Sequence, residues 1–131
     1  GLLAGVAGAY DGRARIVAVE PRVIPTLAAA LGAGEPVDVD VSGVAADSLG
    51  ATRISSASLA IAQRTGVISI LVDDDAILAA RQWLWDECRL AVEAGGATAL
   101  AAVLAGAYVP EPGEKIGVIV CGSNTDPSDL V

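Results

Sequence analysis

Three short β-branched runs without inside-outside alternation constrain this chain more than any other feature. They are Ile16-Val17-Ala18-Val19, Val67 to Val72, and Ile116 to Val120. A strand wet on one face alternates apolar and polar residues, whereas an unbroken apolar run suits a strand covered on both faces. Between these runs lie Ala- and Leu-rich stretches: Leu2 to Tyr10, Ile24 to Leu31, Ser56 to Arg64, Ala76 to Val92, and Ala97 to Tyr108. Ala and Leu have the best helix propensities, and turn residues bracket each stretch. Strands alternating with helices make parallel βαβ units. The expected fold is therefore α/β, an open and mostly parallel sheet flanked by helices.

The helix that starts near Asp75 is the clearest. Asp73, Asp74 and Asp75 offer an N-cap and first-turn negative charge to the helix dipole, which explains them better than a hard-metal site does. Ile77, Ala80, Leu84, Cys88 and Ala91 recur at three- and four-residue spacing, and Gly95-Gly96 is expected to end the helix. Asp38 and Asp40 alternate with Val37, Val39 and Val41, the pattern of a half-exposed strand. The longest uncharged stretch, Ala94 to Pro110, contains Gly95, Gly96 and Gly106. A membrane span needs about 20 apolar residues, so this stretch reads as a buried helix.

At 131 residues the chain is one domain or part of one. It has no Met and opens on Gly1 inside an apolar run, which reads as a piece of a longer protein. Eight Lys and Arg against sixteen Asp and Glu give a net charge of −8, the wrong sign for a phosphate-backbone binder, so no nucleic-acid partner is expected. There is no His, which excludes Ser-His-Asp, Cys-His and His-metal chemistry. Two cysteines, Cys88 and Cys121, make no disulfide framework and point to a reducing, cytoplasmic setting. No signal peptide or membrane segment is visible.

A few positions have chemical potential. The glycines at 1, 5 and 8 do not fit a dinucleotide fingerprint. Even so, a Gly just before an apolar helix is what an anion site at a helix N-terminus requires. Cys121 stands where the run Val118-Ile119-Val120 passes into Gly122-Ser123-Asn124. Ligands of open α/β sheets collect at such carboxyl ends of strands; the plainer role for Cys121 is a small apolar filler. Glu20 follows a strand and Glu93 a long helix, where a solvated carboxylate is the plainer reading of both. Lys115, the one lysine, lies in the turn after Glu111-Pro112-Gly113-Glu114 and reads as solvated.

Five segments occur in an order and spacing that resemble the pyridoxal-phosphate-dependent serine/threonine dehydratases, a family that also holds serine racemase. They are Arg15 to Pro21, Gly43-Val-Ala-Ala-Asp-Ser-Leu-Gly50, Leu90-Ala-Val-Glu-Ala-Gly-Gly96, Leu100 to Leu104, and Val120-Cys-Gly-Ser-Asn124. The resemblance implies a tryptophan-synthase-β-like (fold type II) architecture. Residues 1–131 would be the C-terminal part of its pyridoxal-phosphate-binding large domain, with the N-terminal part and the small domain absent. It implies pyridoxal 5'-phosphate as cofactor, with Gly1 as the last glycine of the phosphate loop. Cys121 and Gly122 would stand beside the pyridine nitrogen, where many relatives have Ser or Thr. Asp47 and Ser48 would lie in a turn close to the cofactor, and Glu93 near the ring. Relatives have a cation site at the position of Glu20, completed by a carboxylate whose counterpart here is Thr26; losing an anionic ligand weakens a hard-cation site. The Schiff-base lysine would lie upstream, so no catalytic residue of the chemistry would be in this chain.

The reaction so implied is elimination of water and ammonia from serine or threonine to leave a 2-oxo acid. The partners would be a small hydroxy amino-acid substrate, the missing N-terminal part, and further copies in a homo-oligomer. A racemase or β-replacement enzyme of the same fold is one alternative. A non-catalytic α/β binding or oligomerisation module is the other.

Overall fold

The computed structural model describes residues 1–130. Its elements in chain order are α1 (Leu2–Tyr10), β1 (Val17–Pro21), α2 (Thr26–Ala33), α3 (Ser56–Thr65), β2 (Ile68–Val72), α4 (Asp74–Cys88) and α5 (Ala94–Leu104). A 3-10 turn, Pro127–Asp129, follows. β1 and β2 pair in parallel, Val17 opposite Ile68 through Pro21 opposite Val72. A parallel pair needs a crossover, and α2 and α3 supply it.

Both faces of this two-stranded sheet are covered, as the unbroken apolar runs imply. Val19 and Ile70 pack against a core built around Ile77, Ala80 and Leu84 of α4 and Ala97, Ala101 and Ala102 of α5. Ile16 and Ala18 face the opposite core of Ala7, Leu27, Ala62 and Val67, which α1, α2 and α3 provide. The many alanines let helices approach closely, and dispersion over many small contacts then carries the packing. Among the described residues no helix is long and apolar enough to cross a membrane.

Four local expectations are corrected. Ile116 to Val120 forms no strand: the described residues provide no neighbouring strand to take its ladder bonds, and only Val118 and Val120 turn partly inward. Residues 37–41 keep the alternation of half-buried Val and exposed Asp. They too lie outside any strand, held by one bond from Val39 N to Thr52 O at 2.9 Å. α4 ends at Cys88, well before Gly95. Arg89 takes the left-handed conformation at φ 57°, and its N–H donates back to Trp85 O at 3.0 Å, an αL cap achieved without glycine. That early stop leaves Cys88 exposed rather than in the apolar stripe.

The aspartates before α4 also act differently from simple caps. Asp73 sits at the N-cap but makes no capping bond; its carboxylate accepts from Arg22 Nε at 2.8 Å. Asp74 Oδ2 accepts from Val44 N at 3.0 Å and so ties the 43–50 turn to α4. Gly43, at φ 83°, leaves room for that carboxylate.

Ile77 is fully buried in the α4–α5 core. Ile77→Ala in the intact protein is expected to cost about 2–5 kcal/mol by the lost burial and the cavity left behind, read as a lowered urea midpoint with an unchanged slope.

Candidate functional site

A broad groove of about 790 Å³ runs along one side of the molecule. Its size lies in the range of cofactor sites, about 300–1,000 Å³. Gly1, Glu20, Ser48, Glu93, Gly95 and Cys121 all contribute to its wall, as does Lys115. The structure therefore brings the two distant ends of the chain to one cavity.

At one pole is the start of α1. Gly5 N bonds back to Gly1 O at 3.0 Å, which leaves the N–H groups of Leu2, Leu3 and Ala4 without helical acceptors, as in any first turn. A methyl at Gly1 would meet no atom within 4 Å, so the approach to these donors is open. Such a first turn favours an anion through its donors and its dipole.

At the other pole the first turn of α5 meets two loops. Glu93 is the N-cap residue of α5, and its N–H donates to Gly122 O at 3.0 Å. Gly95 N donates to Ser48 Oγ at 3.0 Å. Ser48 Oγ in turn donates to Ala45 O at 3.4 Å, closing its own turn. Gly96 lies so close to the backbone of Cys121 that any Cβ would strike Cys121 O. A Cβ on Gly122, at φ 76°, would strike the Glu93 carboxylate. Gly95 and Gly96 are thus not a helix terminator but the two positions where α5 must be bare for both loops to reach it.

The remaining expected residues fall as follows. Cys121 is an exposed free thiol on the groove wall, not an apolar filler. Asp47 is exposed and turns away from the groove into a smaller adjoining cavity of about 310 Å³, which Glu93 also lines. Glu20 spends both carboxylate oxygens on the N-terminus of α2: Leu27 N donates to Oε1 at 2.7 Å and Ala28 N to Oε2 at 3.0 Å. Thr26 Oγ1 donates to Ala51 O at 2.7 Å. Among the described residues no group of three or more His, Cys, Asp or Glu is disposed to hold a metal ion.

Two clusters escaped the sequence reading. Arg81 is buried within the α4 stripe; a charge interrupting the series Ile77, Ala80, Leu84 was the available signal. Tyr108, Glu114 and Arg15 form a surface network beside the groove. Tyr108 Oη donates to Glu114 Oε1 at 2.6 Å and accepts from Arg15 Nη1 at 3.4 Å. That bond from Tyr108, with a second from Glu111 N–H, holds the Glu114 carboxyl below its usual range.

The family described as pyridoxal-phosphate dependent enzyme matches residues 1–122. Phenylserine dehydratase of Ralstonia pickettii is 33% identical over 129 residues, which is 96% of this chain and 40% of that protein. The crystal structure of T.th. threonine deaminase superposes with a TM-score of 0.82 at 28% identity, covering 95% of this chain and 45% of that one. Maize serine racemase gives the same TM-score at 30% identity, over 98% of this chain and 41% of its own. The chain thus spans less than half the length of these relatives. The tryptophan-synthase-β-like α/β fold is the one these neighbours share.

Two outcomes follow for the groove. Gly96→Ala should destabilise the intact protein by about 1–3 kcal/mol, because the methyl must push backbone rather than a pliable side chain; urea unfolding measures it. Burial raises the Glu20 carboxyl above its ordinary value more strongly than the Leu27 and Ala28 N–H groups lower it. The folded state then holds the Glu20 proton to higher pH than the unfolded chain does. Stability relative to Glu20→Gln should therefore fall as pH rises from the ordinary carboxyl value through the raised one. Unfolding of both proteins across that window checks the sign.

Proposed function

Because this chain belongs to the pyridoxal-phosphate dependent enzyme family, we propose that it forms the C-terminal part of the cofactor-binding large domain of a serine/threonine dehydratase. Its N-terminal complement would bring the small domain and the lysine that anchors the cofactor. The convergence of Gly1, Ser48, Glu93 and Cys121 on one groove carries this reading. The parent reaction is removal of water and ammonia from a small hydroxy amino acid, leaving a 2-oxo acid.

The residues present fit the cofactor. At the α5 pole the groove is lined by Ser48, Glu93, Gly95 and Cys121, small or polar groups that leave room for a flat ring and offer it hydrogen-bonding partners. A phosphate needs donors, and the first turn of α1 offers Leu2, Leu3 and Ala4 N–H without calling on a cation. Pyridoxal phosphate, when bound, supplies the electron sink for bond breaking at the substrate's α-carbon. The chain's part is to hold and tune it. Cys121 would meet the pyridine nitrogen with a thiol, a weaker hydrogen-bond donor than the hydroxyl of Ser or Thr. It would not deliver a full proton there as a carboxylic acid could. A moderate electron sink suits elimination, in which the hydroxyl leaves promptly. Glu93, held between α5 and Gly122, would fix the ring's orientation, with Ser48 bracing the same turn of α5. Asp47 would support Glu93 from the far side.

Glu20 would serve α2 rather than a cation, since both of its oxygens already accept backbone N–H groups. A racemase is the second reading, favoured by the equal TM-score of maize serine racemase and T.th. threonine deaminase. Assays of the intact protein with L-serine and L-threonine separate the two: 2-oxo acid formation supports the dehydratase, and D-amino acid without it supports the racemase.

Lys115 borders the groove in an exposed turn, so the placement of the anchoring lysine elsewhere is directly testable. Borohydride reduction of the intact holoenzyme followed by peptide mapping should label a lysine other than Lys115, and Lys115→Arg should keep its activity. For Cys121, the Ser variant should stay within about tenfold of wild-type kcat/KM, whereas Cys121→Asp should place a charge at the ring nitrogen and slow elimination. Unchanged kinetics in the Asp variant would remove Cys121 from the ring nitrogen.

A further inference from the structure

Arg81 is 7% exposed, in the middle of the apolar face of α4. A guanidinium so placed must find partners for its donors, and it finds them on two separate segments. Nε donates to Val92 O at 2.7 Å. Nη1 donates to Asp129 Oδ2 at 2.6 Å and Nη2 to Asp129 Oδ1 at 3.0 Å, a bidentate pair. Nη2 also reaches Thr125 Oγ1 at 2.8 Å and Asp126 O at 3.3 Å. Val92 immediately precedes Glu93, while Thr125 to Asp129 follow the Cys121–Gly122 turn. The Glu93 N to Gly122 O bond closes the circuit between the two segments.

We infer that Arg81 is a positioning residue for the cofactor ring: one guanidinium sets the spacing between the Glu93 arm and the Cys121 arm of the groove. This rests on the reading of Cys121 and Glu93 given above. The planar fork matters, because a lysine ammonium is a point charge that cannot pair bidentately with Asp129 while also donating to Val92 O. The cavity that Arg81 shares with Asp47, Glu93 and Thr125 lies directly behind Glu93, so a change at the guanidinium is felt at the groove wall. A staple that only stabilised the C-terminal turn would leave ring binding untouched once the protein was folded.

The test uses the intact holoenzyme and its apoenzyme, with Arg81→Lys, Asp129→Asn and Thr125→Val. Thr125→Val removes one bond and keeps the Arg81–Asp129 ion pair, so it remains informative where Arg81→Lys fails to fold. Three quantities are read: the Kd for pyridoxal phosphate by spectral titration, the visible circular-dichroism band of the bound cofactor, and the apoenzyme Tm. Arg81→Lys and Asp129→Asn should raise Kd on the order of ten- to a hundredfold and lose most of the dichroic band, which reports a fixed ring orientation. Thr125→Val should shift both in the same direction by less. A lowered apoenzyme Tm with wild-type Kd and an intact band in all folded variants overturns the inference and leaves the reading of the groove standing. A wild-type protein that takes up no pyridoxal phosphate overturns both.

Discussion

The approach of the Cys121–Gly122 backbone to the first turn of α5 is the contact on which the rest of the groove depends. Two peptide segments can lie this close only where no side chain intervenes, and Gly96 and Gly122 each remove the atom that would prevent it. The contact is then fixed by hydrogen bonding: Glu93 N to Gly122 O on one side, Gly95 N to Ser48 Oγ on the other. Buried backbone donors demand such acceptors, so the three segments determine one another's positions. Everything that faces the cavity at this pole is attached to one of them.

The helices and the parallel strands supply the frame. β1 and β2 present one face to α4 and α5 and the other to α1, α2 and α3. α1 and the Cys121 turn thereby both come to border a single groove although they are more than a hundred residues apart in the chain. Such a division, with ligand-facing residues on loops and helix starts above a packed scaffold, is usual for α/β folds. Membership of the pyridoxal-phosphate dependent family accords with it.

Much of this was legible from the residues. All five Ala- and Leu-rich stretches are helices and the first two β-branched runs are strands, because propensity, period and caps agree there. Other features depend on partners that a local pattern does not contain. Ile116 to Val120 has the composition of a strand, but a ladder needs a neighbour. Gly95-Gly96 resembles an ending because glycine so often follows a helix; its reason here is a collision with Cys121 and Ser48, residues distant in the chain. Arg89, a poor candidate for positive φ, ends α4 instead. Cys121, Ser48 and Glu93 stand out through a family resemblance, and no spacing rule would have found them. Arg81 escapes notice in the sequence because its chemistry lies in what it joins rather than in any motif.

The start of α1 has one more consequence. A dianion received there would meet peptide dipoles, whose attraction fades within a turn, while the chain as a whole bears a net charge of −8. An anion held that way would depend on contact with N–H groups rather than on a long-range attraction, so added electrolyte would weaken its binding less than it weakens binding in a lysine-lined phosphate pocket.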